Sequence, residues 1–156
     1  MSVRPVKSIT TARPAIEGAG VKLHRVFGFG DTKPFDPFLM MDDFRNDRPD
    51  DYLAGFPWHP HRGIETITFA YKGSVEHHDS KGNHGIINAG DVQWMTAGGG
   101  VLHKEYHEQT FNRSGGAFEM LQLWINLPAK HKMVPAKYQS ILHANKPKVV
   151  LPKGHG

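Results

Sequence analysis

Pro57-Trp58-His59-Pro60-His61-Arg62-Gly63-Ile64-Glu65-Thr66-Ile67-Thr68-Phe69 carries two histidines one residue apart, then an alternating, β-branched tail. In extended backbone, residues i and i+2 point to one face. His59 and His61 therefore project side by side, roughly 6–7 Å apart at the backbone. Two imidazoles at that spacing can converge on one metal ion held about 2.1 Å from each nitrogen. Pro60 has no N–H to give a sheet, which predicts a strand start or an edge strand. Val101-Leu102-His103-Lys104-Glu105-Tyr106 repeats the arrangement, with His103 and Glu105 on one strand face. A lone H-x-H in a strand is more often a core or surface pair than a ligand pair. Two such pairs, offering three imidazoles and a carboxylate, suit iron, nickel, copper, manganese or zinc.

The rest of the chain reads as strands and turns. Residues 21–29 alternate apolar and polar, Pro37–Phe44 is a mostly buried strand, and an acidic loop follows, read as solvated. Glu65–Lys72, Val75–Asp79, Ile86–Asn88, Val92–Met95 and Ala117–Leu127 are further strands, with Asn112–Gly116 a polar loop. Gly98-Gly99-Gly100 is a bend where two backbones can approach closely; with no G-K-[ST] after it, it is no phosphate cradle. The end offers a short helix near Pro135–Leu142 and a final strand at Lys148–Leu151. Short strands at this spacing predict an all-β sandwich or barrel with few short helices.

The 156 residues are enough for one domain with a real core, and 17 Gly and 11 Pro favour turns over long helices. The absence of cysteine excludes disulfides, thiolate metal sites and a cysteine nucleophile. No Ser-His-Asp set or paired carboxylates suggest a hydrolase. Neither a signal-peptide core nor an apolar run near the roughly 18 residues of a membrane span is present, so a soluble, cytoplasmic protein is expected, or a nuclear one in a eukaryote. The net charge of +4 is uneven, because no Asp or Glu follows Glu119 while six lysines do. With few arginines or aromatics there, the basic end reads as a solvated tail or a domain-facing surface rather than a nucleic-acid site.

From Phe35-Asp36-Pro37-Phe38 through His59-Pro60-His61-Arg62-Gly63-Ile64-Glu65-Thr66 and Gly90–Glu105 to Leu121-Gln122-Leu123-Trp124-Ile125-Asn126-Leu127, the chain resembles the pirin family of the cupin superfamily. The resemblance implies a cupin-type jelly-roll β-barrel around one metal. It implies His59 and His61 as the first two ligands and His103 and Glu105 as the others. The family's metal is usually Fe2+, with Ni, Cu, Mn, Co or Zn as alternatives. Some bacterial members are quercetin 2,3-dioxygenases that open a flavonol ring with O₂, and animal members are iron-dependent transcriptional co-regulators. Two departures stand out. Residues 1–156 read as a single cupin domain of the N-terminal pirin type, with the expected second cupin domain absent, so the surface that would meet it could serve a homodimer. Gly99 also stands where relatives carry a larger residue.

Two functions follow from this reading. One is a metal-dependent dioxygenase acting on a phenolic or flavonoid-like substrate and O₂, with Glu105 as general base. The other is a metal- or redox-responsive regulatory binding protein without turnover. Glu65 and His107 share strand parity with the four ligands and are assigned to orienting them by hydrogen bonds; His24, His77, His78, His84, His131, His143 and His155 receive no role.

Overall fold

The computed structural model describes residues 5–30 and 32–150. Among the described residues there are eleven strands: β1 (Arg13–Glu17), β2 (Val21–Phe27), β3 (Phe38–Asp43), β4 (Phe56–His61), β5 (Ile64–Lys72), β6 (Ser74–Asp79), β7 (His84–Asn88), β8 (Val92–Thr96), β9 (Val101–His107), β10 (Glu119–Asn126) and β11 (Lys137–Ile141). A single α-helix, α1 (Gln109–Ser114), and four 3-10 turns complete the order. The strands form two antiparallel sheets, one in the order β1-β2-β3-β10-β5-β8-β11 and one in the order β4-β9-β6-β7. One apolar cluster joins Val21, Leu23, Ala70 and Met120 of the first sheet to Val75 and Ile87 of the second, so the sheets pack face to face. The all-β architecture expected from the strand pattern is observed, in the form of the cupin-type jelly-roll barrel that the resemblance implies.

Alternation builds the interior. In β9, Val101, His103, Glu105 and His107 are buried while Leu102 and Tyr106 are exposed. In β6, Val75, His77 and Asp79 point inward by the same two-residue period. The larger sheet contributes Thr66, Thr68 and Ala70 from β5, Gln93 and Met95 from β8, and Met120 and Gln122 from β10. Pairing sorts these into layers. Ala70 opposes Met120 in the apolar end, whereas Thr68 opposes both Gln122 and Gln93 one layer further along. The barrel is thus oily at one end and polar toward the other, where β4 crosses.

Two glycines set the geometry of that polar end. Gly63 (φ +69°) turns the chain from β4 in one sheet to β5 in the other, and its N–H donates to the Gly98 carbonyl at 2.7 Å. Gly98 (φ +50°) lies so close to the Val134 carbonyl that a Cβ would collide with it. The triple-glycine bend therefore does bring two backbones together, with Gly99 N–H bonded to Val134 O at 2.8 Å.

Some local expectations fail. The segment expected to be helical at 135–142 is strand β11, paired in register with β8 from Lys137↔Thr96 to Ile141↔Val92. Residues 148–150 form no strand, and Leu151 lies outside the described residues. Helix α1 occupies part of the expected loop; the Glu108 carboxylate caps it by accepting from the Thr110 and Phe111 N–H groups. The acidic stretch is only partly solvated. Asp42 is buried under a two-pronged bond from Arg25 (2.9 and 2.8 Å), and Asp51 accepts from Lys22 at 2.7 Å. The lysine-rich end is not a free tail either. Lys132 bonds Gly63 O and Asn126, and Lys146 bonds Gly90 O with its ammonium over the Phe69 ring.

Candidate metal centre

Strand β4 runs antiparallel to β9 with His59 opposite His103 and His61 opposite Val101. That register stacks the two inward histidines of β4 against the inward histidine of β9. The three ring centroids lie 4.2 to 4.9 Å apart, and one nitrogen from each ring falls within 4.8 Å of the others. Only a small contraction brings three such atoms around one ion at about 2.1 Å each. Pro60 sits in an edge strand, as its missing N–H requires.

The donor set is prepared chemically as well as placed. His59 Nδ1 is 2.8 Å from the Pro57 carbonyl, which can only accept, so the ring's proton is on Nδ1 and Nε2 carries the lone pair. Burial, with the neighbouring charges of His103 and His59, pushes His61 down to about 3. Burial, with His59 and His77, pushes His103 down to about 2. Both rings are neutral at physiological pH, the form that ligates a metal. His103 Nε2 and one Glu105 oxygen are buried without a hydrogen-bond partner. Unpartnered buried polar atoms are costly, and a cation would satisfy both. The residues fit a divalent metal.

Glu105 is brought to His103 rather than to the full histidine trio. It forms a second group with His77 and His103, again with one ligand atom each within 4.8 Å. Burial raises its pKa, opposed by His77, His59 and a hydrogen bond with Gln122. The two flanking candidates go elsewhere. Glu65, carried into the other sheet by the Gly63 turn, accepts from Thr96 Oγ1 at 2.7 Å. His107 Nε2 meets the Tyr52 carbonyl at 3.1 Å, and its ring packs on Phe118. Among the described residues neither hydrogen-bonds to His59, His61, His103 or Glu105, so the expected orienting role is corrected for both. His77, given no role from sequence, is fully buried with its Nδ1 3.3 Å from His103 Nδ1. The alternation Val75-x-His77-x-Asp79 was the available signal.

A cavity of about 650 Å³ opens beside the trio, with Phe29, Trp58, Trp124, Arg62 and Ile64 among its walls and His59 and His61 at its base. Trp124 meets His61 edge-on at 5.0 Å, so the aromatic wall touches the cluster directly.

The family model described as Pirin matches residues 20–125, a span that includes all of β4, β5 and β9. The chain belongs to the Pirin family. Pirin-family relatives extend the match. A Pseudomonas aeruginosa protein whose name describes it, provisionally, as a quercetin 2,3-dioxygenase is 51% identical over 138 residues, covering 88% of this chain and 47% of that protein. A pirin-like protein of Caulobacter vibrioides is 49% identical over 139 residues, covering 89% and 49%. The crystal structure of a quercetin 2,3-dioxygenase from Acinetobacter baumannii superposes with a TM-score of 0.81 at 43% identity, over 91% of this chain and 50% of that one. The bacterial pirin YhhW of Escherichia coli, solved in complex with nickel(II), superposes with a TM-score of 0.63 at 27% identity, over 83% and 53%. This chain therefore spans about half the length of the relatives it matches. No helix among the described residues is long and apolar enough to cross a membrane.

Proposed function

We propose that this Pirin-family chain holds one divalent cation, Fe2+ by preference, through His59, His61, His103 and Glu105, and that it opens a flavonol of the quercetin type with O₂. The observation that carries the reading is a trio of imidazoles, two of which (His59 and His61) line an aromatic cavity, together with a buried, unpartnered His103 Nε2 and Glu105 oxygen. The nickel(II) complex of YhhW supports a divalent ion, and the Acinetobacter enzyme supports the substrate class.

A bound cation would supply Lewis acidity that lowers the pKa of a substrate hydroxyl. The protein's own groups do the rest. Trp58, Trp124 and Phe29 give the cavity flat apolar walls suited to a planar polyphenol. Burial makes Glu105 a stronger base than an exposed carboxylate, so that on loosening from the cation it would accept the flavonol hydroxyl proton. The His59 Nδ1 bond to Pro57 O keeps that ring's lone pair turned to its Nε2 side.

The test is anaerobic loading with Fe2+, then addition of quercetin in air while the flavonol absorbance is followed. The reading expects loss of that band, abolished in His59→Ala and Glu105→Ala. An unchanged trace with fully loaded protein would remove the dioxygenase and leave a metal-binding protein.

A further inference from the structure

His77 is more deeply enclosed than a histidine with no role should be. Its ring is fully buried and stacked on Tyr138 (4.9 Å, 26° between planes), which fixes its plane. It lies between two groups. On one side its Nδ1 is 3.3 Å from His103 Nδ1, and on the other its Nε2 is 3.7 Å from Asp79 Oδ2. The β6–β9 register produces this, since Asp79 opposes His103 and His77 opposes Glu105. Asp79 is anchored in turn: its carboxylate accepts from the Lys81 N–H (2.8 Å), the Asn83 N–H (3.0 Å) and the Asn83 side-chain amide (2.8 Å).

A neutral imidazole carries one N–H and one lone pair, so this row admits two proton arrangements. In the first, His103 donates from Nδ1 to His77 Nδ1, and the His77 Nε2–H faces the Asp79 carboxylate across 3.7 Å, a buried charge–dipole contact longer than a hydrogen bond. His103 Nε2 is then bare. In the second, His77 donates to His103, and the His103 proton moves to Nε2, inside the histidine cluster. That arrangement sets the bare His77 Nε2 against the Asp79 carboxylate, lone pair against anion, in a buried place where the repulsion is poorly screened. In the first arrangement the Gln93 amide nitrogen, 2.7 Å from His77 Nδ1, shares that nitrogen's lone pair with the His103 N–H.

We propose that Asp79 and His77 are positioning residues acting in series, which hold His103 in the tautomer whose Nε2 is free to bind a metal. The inference rests on the metal site proposed above and adds what sets it. Metal-ligating histidines commonly hand their other N–H to a fixed acceptor, and loss of that acceptor costs about 10- to 100-fold in metal affinity. Here the acceptor is a second histidine, and the carboxylate stands one residue further back.

The test uses the whole chain and two readouts. The first is the tautomer of His103 in metal-free protein, read from 15N-detected long-range histidine spectra. The second is Ni2+ affinity, read by competition with a chromophoric chelator. The parent is expected to show His103 protonated on Nδ1. Asp79→Asn and His77→Phe should each weaken Ni2+ binding about 10- to 100-fold. The double variant should be no weaker than the worse single one, because the two residues form one chain of contacts. Parental affinity in Asp79→Asn and His77→Phe, additive losses in the double variant, or an Nε2-protonated His103 in the parent would each overturn the proposal. So would loss of an imidazole from the nickel shell in His77→Phe by X-ray absorption, since His77 would then be a ligand. A parent that binds no Ni2+ but shows the Nδ1 tautomer refutes the metal site and sustains the proton arrangement. If Asp79→Asn does not fold, His77→Phe and the parent tautomer decide alone.

Discussion

Acidifying the metal-stripped protein should cost it stability steeply, and the loss should trace to the histidine cluster. His61 titrates at 6.5 in the unfolded chain and at about 3 in the fold, and His103 at 6.5 and about 2. The unfolded state therefore takes up both protons first. Stability from each ring is present above 6.5 and is lost as the pH falls toward the folded value. Between about pH 7 and about pH 5 the folded rings stay neutral while the unfolded ones charge, which costs about 1.9 kcal/mol per ring, or nearly 4 kcal/mol for the pair. His77 and His107, also lowered by burial, add in the same direction. Glu105 and Asp42, raised by burial, work the other way as their folded forms take up protons. Urea unfolding at the two pH values, for the parent and for His61→Gln, isolates one ring. With a slope of about 2 kcal/mol per molar, the cluster pair moves the parent midpoint by about 2 M, and the variant should lose about 2 kcal/mol less than the parent over the same interval. Equal losses in parent and variant would refute the claim that the cluster is folded around neutral imidazoles.

Ni2+ at a hundredfold excess over its dissociation constant should stabilise the protein by about 2.7 kcal/mol, seen as a rise in the unfolding midpoint that His103→Ala abolishes. Arg25→Met strips the buried Asp42 carboxylate of both hydrogen bonds and should cost about 3–5 kcal/mol in urea unfolding, much of it recovered by adding Asp42→Asn. Tyr52→Phe removes the 2.6 Å bond to the Gly116 carbonyl from a fully buried ring and should cost about 1 kcal/mol by the same assay. Gly98→Ala meets both the Val134 carbonyl and a left-handed backbone, and should lower the midpoint by more than about 2 kcal/mol.

The parts of the site that lie on one strand each were legible in the sequence. His59 and His61 share a face because the strand period is two, and Pro60 marks the edge because it has no N–H; neither depends on anything distant. His103 and Glu105 follow by the same rule. What sequence could not supply is what each strand pairs with. His77 and His78 are adjacent and chemically identical, and only the β6–β9 pairing decides that His77 faces His103 while His78 bonds Glu76 near the surface. The same lack of pairing information explains β11. Its first residues follow Pro135 and show little alternation, as suits a sheet edge with one half-covered face, so the proline reads as a helix start. Glu65 shows the reverse failure. Its parity is correct on paper, but the turn at Gly63 moves it to the opposite sheet before parity can count.

The proline between the two β4 histidines has an effect on the protein's neighbours as well as on its own ladder. Strand β4 is the outer strand of its sheet and holds two prolines, Pro57 and Pro60, in six residues. An exposed border of this kind normally invites a stray extended chain to zip onto it and bury whatever lies beneath. With two of its donors missing, this border offers too broken a row to be copied. The rim that bears the histidines thus stays clear to small molecules while being a poor template for polypeptide.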